Sequence, residues 1–402
     1  MAIKRVKVAD LRPGMFVHDL NCGWLDHGFL RSRFLLQGVE PIQKMRAHGL
    51  EEVYIDTARG EDLPGAPTRE EIERGLDHRL GASAEGGAAL APARVPQQEE
   101  AAVARRILGE AAGLVGNLLQ DARLGKGVDP DRARPLVRAM RESIQRNPGA
   151  LISLARIKAA DTYTFQHSVS LSALMVSFSQ ALGLDEATVE EAGMGGLLHD
   201  VGKMRVPPEV LNKPAKLTEA EFSVMKAHVE HGEEILRGVP GISDLVIRIA
   251  REHHEKVGGG GYPLGTDGSG LSQVGRMAAI VDVYDALTSN RVYHRGKEPT
   301  EVLKKLLEWS GSHLDGDLVQ LFIRALGIYP VGALVRLSGG RLAVVVEQGE
   351  DLLRPVVRVV YDSARRVRLQ PRDLDLARGE EQIVDYEEPA EWGLDPGSFL
   401  GG

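Results

Sequence analysis

The sequence predicts a mainly α protein: an all-helical body, a small α+β domain ahead of it and a small β appendage behind it. Three observations carry this reading. Apolar residues recur at helical spacing from about Gln97 to Leu326, the period shortens to two at both ends, and a run rich in Gly, Ala and Pro separates the first unit from the body. A length of 402 residues suits two domains with an appendage.

Residues 1–60 form the α+β unit. Ile3–Val8 alternates apolar and basic residues as a strand does, Leu11-Arg-Pro-Gly14 reads as a turn, and Glu51–Asp56 reads as a second strand, with Phe16, Trp24, Phe29 and Phe34 as the expected core. Residues 61–96 are expected to be a flexible linker, because Gly81 to Pro96 is dominated by residues with little to bury. Connecting helices follow over 97–147: Val103, Ile107, Leu108, Ala111, Leu114, Leu118 and Leu119 mark one buried face, and Asp129-Pro130 puts a capping carboxylate and a first-turn proline at the next helix start. The body proper spans 148–328, where Thr218-Glu-Ala-Glu221 reads as a capping box ahead of a helix over Phe222–Leu236. In 329–402, Ala333–Leu337 and Leu342–Glu347 flank Gly339-Gly340 as a hairpin, Pro355–Tyr361 is a further strand, and the acidic tail from Glu380 is expected to be solvated.

Composition narrows the function. Forty-nine Lys and Arg against 57 Asp and Glu give a charge of −8, without the broad basic surface of a protein that binds nucleic-acid polymers. One cysteine, Cys22, excludes an internal disulfide and a thiolate metal site, so any metal falls to His and carboxylate ligands. The charged start and the lack of an apolar run of ~18 residues place the chain in the cytoplasm with no membrane insertion.

Histidine is where the chemistry concentrates: six of the twelve lie between His167 and His254. In His199-Asp200-Val-Gly-Lys203 an imidazole serves one metal, the adjacent carboxylate can bridge two, and Lys203 follows one turn later, in reach of a phosphate oxygen. His253 and His254 point about 100° apart on a helix and can serve two different metals, or one metal and a contact behind it. Asp282 and Asp285 lie one turn apart, so one can ligate while the other orients a histidine or contacts substrate.

In order and context these segments resemble the HD-GYP phosphodiesterases, a branch of the HD metal-dependent phosphohydrolases. The resemblance covers roughly residues 150–328, through His167-Ser-Val, His199-Asp-Val-Gly-Lys203, Asn212-Lys-Pro214, His228-Val-Glu-His-Gly232, His253-His-Glu255, Gly261-Tyr-Pro263 and Asp282-Val-Tyr-Asp-Ala-Leu-Thr288. It implies metal ligands at His167, His199, Asp200, His228, His253, His254 and Asp282, with Asp200 bridging two divalent ions, Fe or Mn. It implies cyclic di-GMP as substrate, opened to linear pGpG and onward to GMP by a bridging hydroxide that two metals generate. It implies Lys203 and Asp200 as the catalytic residues and Gly261, Tyr262, Pro263, Asp285, Arg291 and His294 as the substrate-binding set.

This chain departs from the family at four places. Tyr163 stands where some members have a glutamate ligand for a third metal, so two metals are expected. Gly258 extends a run of glycines and predicts a loose substrate loop, while Val292 and His294 replace a proline and a lysine, leaving His294 or Arg295 to supply the lost cation. His231 and His313 have no ligand role and read as solvated or bracing side chains, and Cys22 reads as packing. The first unit also resembles a small domain often fused ahead of HD-GYP domains, through Leu11-Arg-Pro-Gly-Met15, Trp24–His27, Phe29–Phe34 and Val53–Asp56, with Arg31 and Arg33 as candidate contacts in a regulatory or docking role. Two other readings stay open: a catalytically weak cyclic di-GMP receptor that docks a diguanylate cyclase, and an HD hydrolase of another nucleotide. A homodimer is the remaining partner expectation.

Overall fold

The computed structural model describes residues 2–400 except 23–28, 30, 32, 86, 89, 91–92, 157–162 and 290–295. The first unit is an antiparallel sheet of β1 (Ile3–Lys7), β2 (Phe16–Asp19), β3 (Phe34–Leu35) and β4 (Glu52–Asp56) in the order β1-β4-β2-β3, with α1 (Glu40–Ala47) packed on it. Its core is aliphatic, built on Val6, Val17, Leu36, Met45, Val53 and Ile55. Of the aromatics expected there, Phe16 is buried, Phe29 and Phe34 stack at the edge with centroids 5.5 Å apart, and Trp24 lies outside the described residues.

The expected linker is the first correction. Residues 61–96 contain α2 (Arg69–Ala84), opened by a complete capping box between Thr68 and Glu71. Leu76, Leu80 and Ala84 recur every fourth residue and are buried with Val302, Leu303 and Leu306 in the main core. Ser83 and Ala84 at its end are buried as well, so this stretch is not a tether.

The body begins with α3 (Gln97–Arg123), α4 (Pro130–Arg146) and α5 (Pro148–Arg156). As predicted, Asp129 caps α4, its side chain accepting from Asp131 N, with Pro130 at the first position. These helices are more than connectors: Ile107, Leu118, Val137 and Met140 share a core with Val176, Leu197 and Leu198 of α6 (Tyr163–Ala181) and α7 (Glu186–Leu198). Next come α8 (Pro208–Leu211), α9 (Glu219–Lys226), α10 (His228–Arg237), α11 (Asp244–Glu252) and α12 (Gln273–Thr288). The capping box on Thr218 and Glu221 is present, but the helix expected over 222–236 breaks at Ala227, which puts His228 at the start of a new one. The body closes with α13 (Pro299–Glu308) and α14 (Gly316–Leu326). No helix among the described residues is long and apolar enough to cross a membrane.

A second sheet ends the chain: β5 (Leu334–Leu337), β6 (Arg341–Glu347), β7 (Val356–Asp362), β8 (Val367–Asp375) and β9 (Ile383–Tyr386), in the order β8-β7-β6-β5-β9. The predicted Gly339-Gly340 hairpin joins β5 to β6 in antiparallel register. The acidic tail, expected to be solvated, is instead woven in. Strand β9 pairs with β5, Glu381 accepts from Arg341 at 2.6 Å, and Glu387, 7% exposed, takes Arg336 and the Trp392 indole. Arginines of β5 and β6 make those acids structural.

Candidate metal centre

Three of the clustered histidines use the same local device. His199 follows the end of α7, His228 the end of α9, and His253 the end of α11, where the last carbonyls of a helix have no intrahelical partner. Each ring sets its Nδ1 on the carbonyl three residues back: His199 on Gly196 at 2.8 Å, His228 on Met225 at 2.7 Å and His253 on Ala250 at 2.9 Å. The Nδ1 proton is thereby committed and Nε2 faces inward with its lone pair. His167, on α6, has a different anchor: Asp285 of α12 lies 2.6 Å from its Nδ1.

All four Nε2 atoms converge on Asp200. They lie 3.1 Å (His199), 3.3 Å (His228), 3.7 Å (His167) and 3.8 Å (His253) from its carboxylate oxygens. Asp282 comes within 3.1 Å of His167 Nε2 and 3.8 Å of His254 Nδ1. Donor atoms gather within 4.8 Å of one another as His228, His253 and His254; as His167, His199 and Asp282; and as His199, Asp200 and His253. Lys203, on the turn after Asp200, pairs with the same carboxylate.

Close backbone packing makes this convergence possible. A Cβ on Gly202 would stand 1.9 Å from the His228 carbonyl oxygen and 2.4 Å from Gly232 N, so only glycine lets the His199-Asp200 turn press onto α10. Gly196 does the same between α7 and α6, where a Cβ would meet Leu171 backbone at 3.0 Å.

Burial sets the charge state. It pushes His228 down to about 4 and His253 down to about 3, and with neighbouring His253 it holds His254 well below the usual imidazole range. Burial opposes ionisation of Asp200 and Asp282, but the surrounding imidazoles, and Lys203 beside Asp200, hold both well below the usual carboxylate range. Neutral His228, His253 and His254 thus stand beside ionised Asp200 and Asp282, a donor set suited to a divalent transition metal, while at His167 burial is outweighed by Asp282 and Asp285, which raise its pKa. The fit has a direct sign: His199 Nε2 and Asp200 Oδ1 are buried without a hydrogen-bond partner among the described residues, which is costly unless an ion takes both.

The wall of the site is the loop after α11. Tyr262 N donates to the His254 carbonyl at 3.2 Å, and the tyrosine ring lies over the His254 ring with centroids 4.6 Å apart. A Cβ on Gly261 would stand 2.5 Å from Glu255 Cα, so this loop too is pressed onto the ligand helix. The glycines before it are not the loose stretch that was expected: Gly258 N donates to Ser312 O at 2.8 Å, and a Cβ there would come within 2.5 Å of the same oxygen. Gly258 permits an approach that any side chain would block.

The seven expected ligands therefore gather at one place, with Lys203 beside them and Gly261, Tyr262 and Pro263 above. Asp285 is 1% exposed behind His167 and orients that ring, one of the two roles open to it. Arg291, His294, Val292 and Arg295 lie outside the described residues, as does the side chain of Tyr163. His313 braces, its carbonyl accepting from Val257 N at 3.1 Å. Sequence reasoning missed Glu255. Its carboxylate is 4% exposed and accepts from Leu264 N at 2.7 Å, tying the ligand helix to the far end of the loop; its place beside His253-His254 was the available signal.

A family model described as an HD domain matches residues 138–318, and one described as a domain of unknown function (DUF3391) matches 3–133. A cyclic di-GMP phosphodiesterase of Pseudomonas aeruginosa is 41% identical over 394 residues, 97% of this chain and 93% of its own length. A 3'3'-cGAMP-specific phosphodiesterase of Vibrio cholerae is 34% identical over 176 residues, 44% of this chain and 41% of its own length. Among solved structures, an HDGYP protein from Bdellovibrio bacteriovorus aligns over 80% of this chain and 98% of its own with a TM-score of 0.47 and 18% identity. Identity that runs nearly end to end means that the chain belongs to the HD-GYP family of metal-dependent HD-domain phosphohydrolases.

Proposed function

We propose that the chain hydrolyses cyclic di-GMP, opening one phosphodiester link to give linear pGpG and then GMP. One observation carries this reading: four buried imidazole nitrogens, each oriented by a partner on its other ring nitrogen or by a backbone carbonyl, face a single buried carboxylate. The full-length relative that acts on cyclic di-GMP supports the substrate.

The residues present fit two divalent metals, Fe or Mn. His167, His199 and Asp282 would hold one, His228, His253 and His254 the other, with Asp200 between them. When bound, such metals acidify water and neutralise charge on the non-bridging phosphate oxygens. The protein's own contributions follow from its geometry. Asp285 keeps His167 turned toward the centre, and the helix-end carbonyls do the same for His199, His228 and His253. Lys203 spends one N–H on Asp200 and, at 22% exposure, has others to offer a phosphate oxygen. Tyr262 offers an aromatic face beside the centre for a guanine base. In the reaction an oxygen from water bonds to phosphorus as the bond to the ribose 3' oxygen breaks, and the leaving oxygen takes up a proton.

The test is product formation from cyclic di-GMP by protein loaded anaerobically with Fe or Mn, with 3'3'-cGAMP in a parallel arm and Asp200→Ala as control. Linear pGpG formed by the intact protein alone is the expected result. No product from metal-loaded protein would overturn the proposal, and preferential cleavage of 3'3'-cGAMP would reassign the substrate.

A further inference from the structure

The N-terminal domain grips the catalytic body at three places. On one side, Tyr54 of β4 donates its hydroxyl to Glu308 at the end of α13 at 2.5 Å, and Trp309 donates its indole N–H to the Asn21 carbonyl at 3.1 Å. Tyr54, Asn21, Trp309 and the Glu308 side chain are each less than 8% exposed, so this is a desolvated contact. On the other side, Lys44 of α1 pairs with Glu219 at the start of α9. Behind both, α2 packs Leu76 and Leu80 into the core around α13.

Between these grips the corner joining α1 to β4 rests on the glycine-rich arch. Gly49 has φ +68°, and a Cβ there would stand 3.5 Å from the Gly260 carbonyl oxygen; a Cβ on Gly258 would stand 3.6 Å from a Glu51 carboxylate oxygen. From the other face the arch is held by Ser312 and His313, which accept from Gly258 N at 2.8 Å and Val257 N at 3.1 Å. Ser312 and His313 lie three and four residues after Trp309, the residue that Asn21 holds. The arch is thus clamped between the N-terminal corner and the platform on which that domain docks, and it leads straight into Gly261-Tyr262-Pro263.

We propose that the N-terminal domain is a working part of the substrate site: its 48–51 corner and its docking on Glu308 and Trp309 fix the 258–261 arch, and with it Tyr262, in the binding position. Gly49, Asn21 and Tyr54 are positioning residues. Their effect falls on substrate affinity and leaves the metal-centred step alone. The affinity half of this inference rests on the cyclic di-GMP reading; the bracing of the arch does not.

The test uses the full chain with Tyr54→Asp, Glu308→Lys and the double variant, which breaks the contact from either side and then restores it as an ion pair. Hydrogen exchange reports the Gly258 and Tyr262 amides; kinetics are measured on cyclic di-GMP and on bis(4-nitrophenyl) phosphate, which is too small to need the arch. If undocking leaves the arch in place about a tenth of the time, each single variant raises KM for cyclic di-GMP ~10-fold. The single variants should also speed exchange at both amides, with turnover of the small diester and metal content kept, and the double variant should recover both readouts. Unchanged KM and exchange in the single variants would overturn the proposal. So would losses that the double variant does not recover, since those report general unfolding. Altered exchange in a protein inert toward cyclic di-GMP would overturn the hydrolase reading and leave the brace supported.

Discussion

The floor and the wall of the site are built by opposite strategies. On the floor, His199, His228 and His253 take their orientation from carbonyls three residues away, and all three rings are at most 2% exposed. On the wall, Gly259 and Gly260 hold φ of +83° and +74°, and the arch takes its shape from Ser312, His313 and Gly49, each far off in sequence. Local anchoring gives the floor a donor geometry that persists whatever else moves. A wall with distant supports can be adjusted without disturbing the chemistry, and this is where one fold can change affinity or substrate.

The comparison breaks most sharply at Asp200. Because four imidazoles and Lys203 face its two oxygens, Asp200→Ala should lower turnover by ~10³-fold or more and release metal. Turnover with metal analysis by mass spectrometry checks it, and an active, metal-replete variant would show that the carboxylate is not central. Next is Asp285→Asn, which keeps the shape behind His167 but removes the charge: loss of an outer partner of this kind costs ~10–100-fold in metal affinity or activity. Titration with Mn measures it. A KM effect at normal metal affinity would instead return Asp285 to substrate binding.

On the wall, Gly258→Ala places a methyl 2.5 Å from Ser312 O and must push the arch outward. If the arch then adopts the binding position about a tenth of the time, KM for cyclic di-GMP rises ~10-fold while metal content and turnover at saturation hold. A fall in metal content would mean that wall and floor are one unit.

The same division explains what could be read from sequence. The floor was legible because its chemistry demands residue types: His199-Asp200, His253-His254 and Asp282 say little singly but are recognisable together, in order and context, and helical periodicity places them on one body. The wall was misread because Gly258 reads as freedom when nothing in the sequence reveals the Ser312 carbonyl facing it. Helix α2 reads as a linker for a related reason: Ile72, Leu76 and Leu80 are only three large apolar positions among charged and small residues, and their value lies in the core around α13 that receives them. Glu387 and Glu381 read as solvated until β5 and β6 supply their arginines.

The smallest effect comes from α13, whose far end carries the wall's platform. Its N-cap residue Glu298 is half-buried and faces Glu301 on its own helix and Glu388, Asp385 and Glu387 of the C-terminal segment. Burial first, and then these carboxylates, push Glu298 up from 4.5 to about 7. Between those two values the folded chain keeps a proton that the unfolded chain has lost, so stability falls as pH rises through this window and is level above it. Glu298→Gln removes the cost of ionisation and should therefore be more stable than the parent at pH 8 and equal to it below pH 4.5. Solvent screening of a partly exposed group limits the gain to about 1 kcal/mol. Thermal melts should show it as a rise of about 1 °C. Turnover at saturating substrate should not change, because the floor lies on other helices. A variant equally stable at both pH values would mean that the acidic contacts around α13 are already relieved by water, and a variant with altered turnover would tie this end of the helix to the floor as well as to the wall.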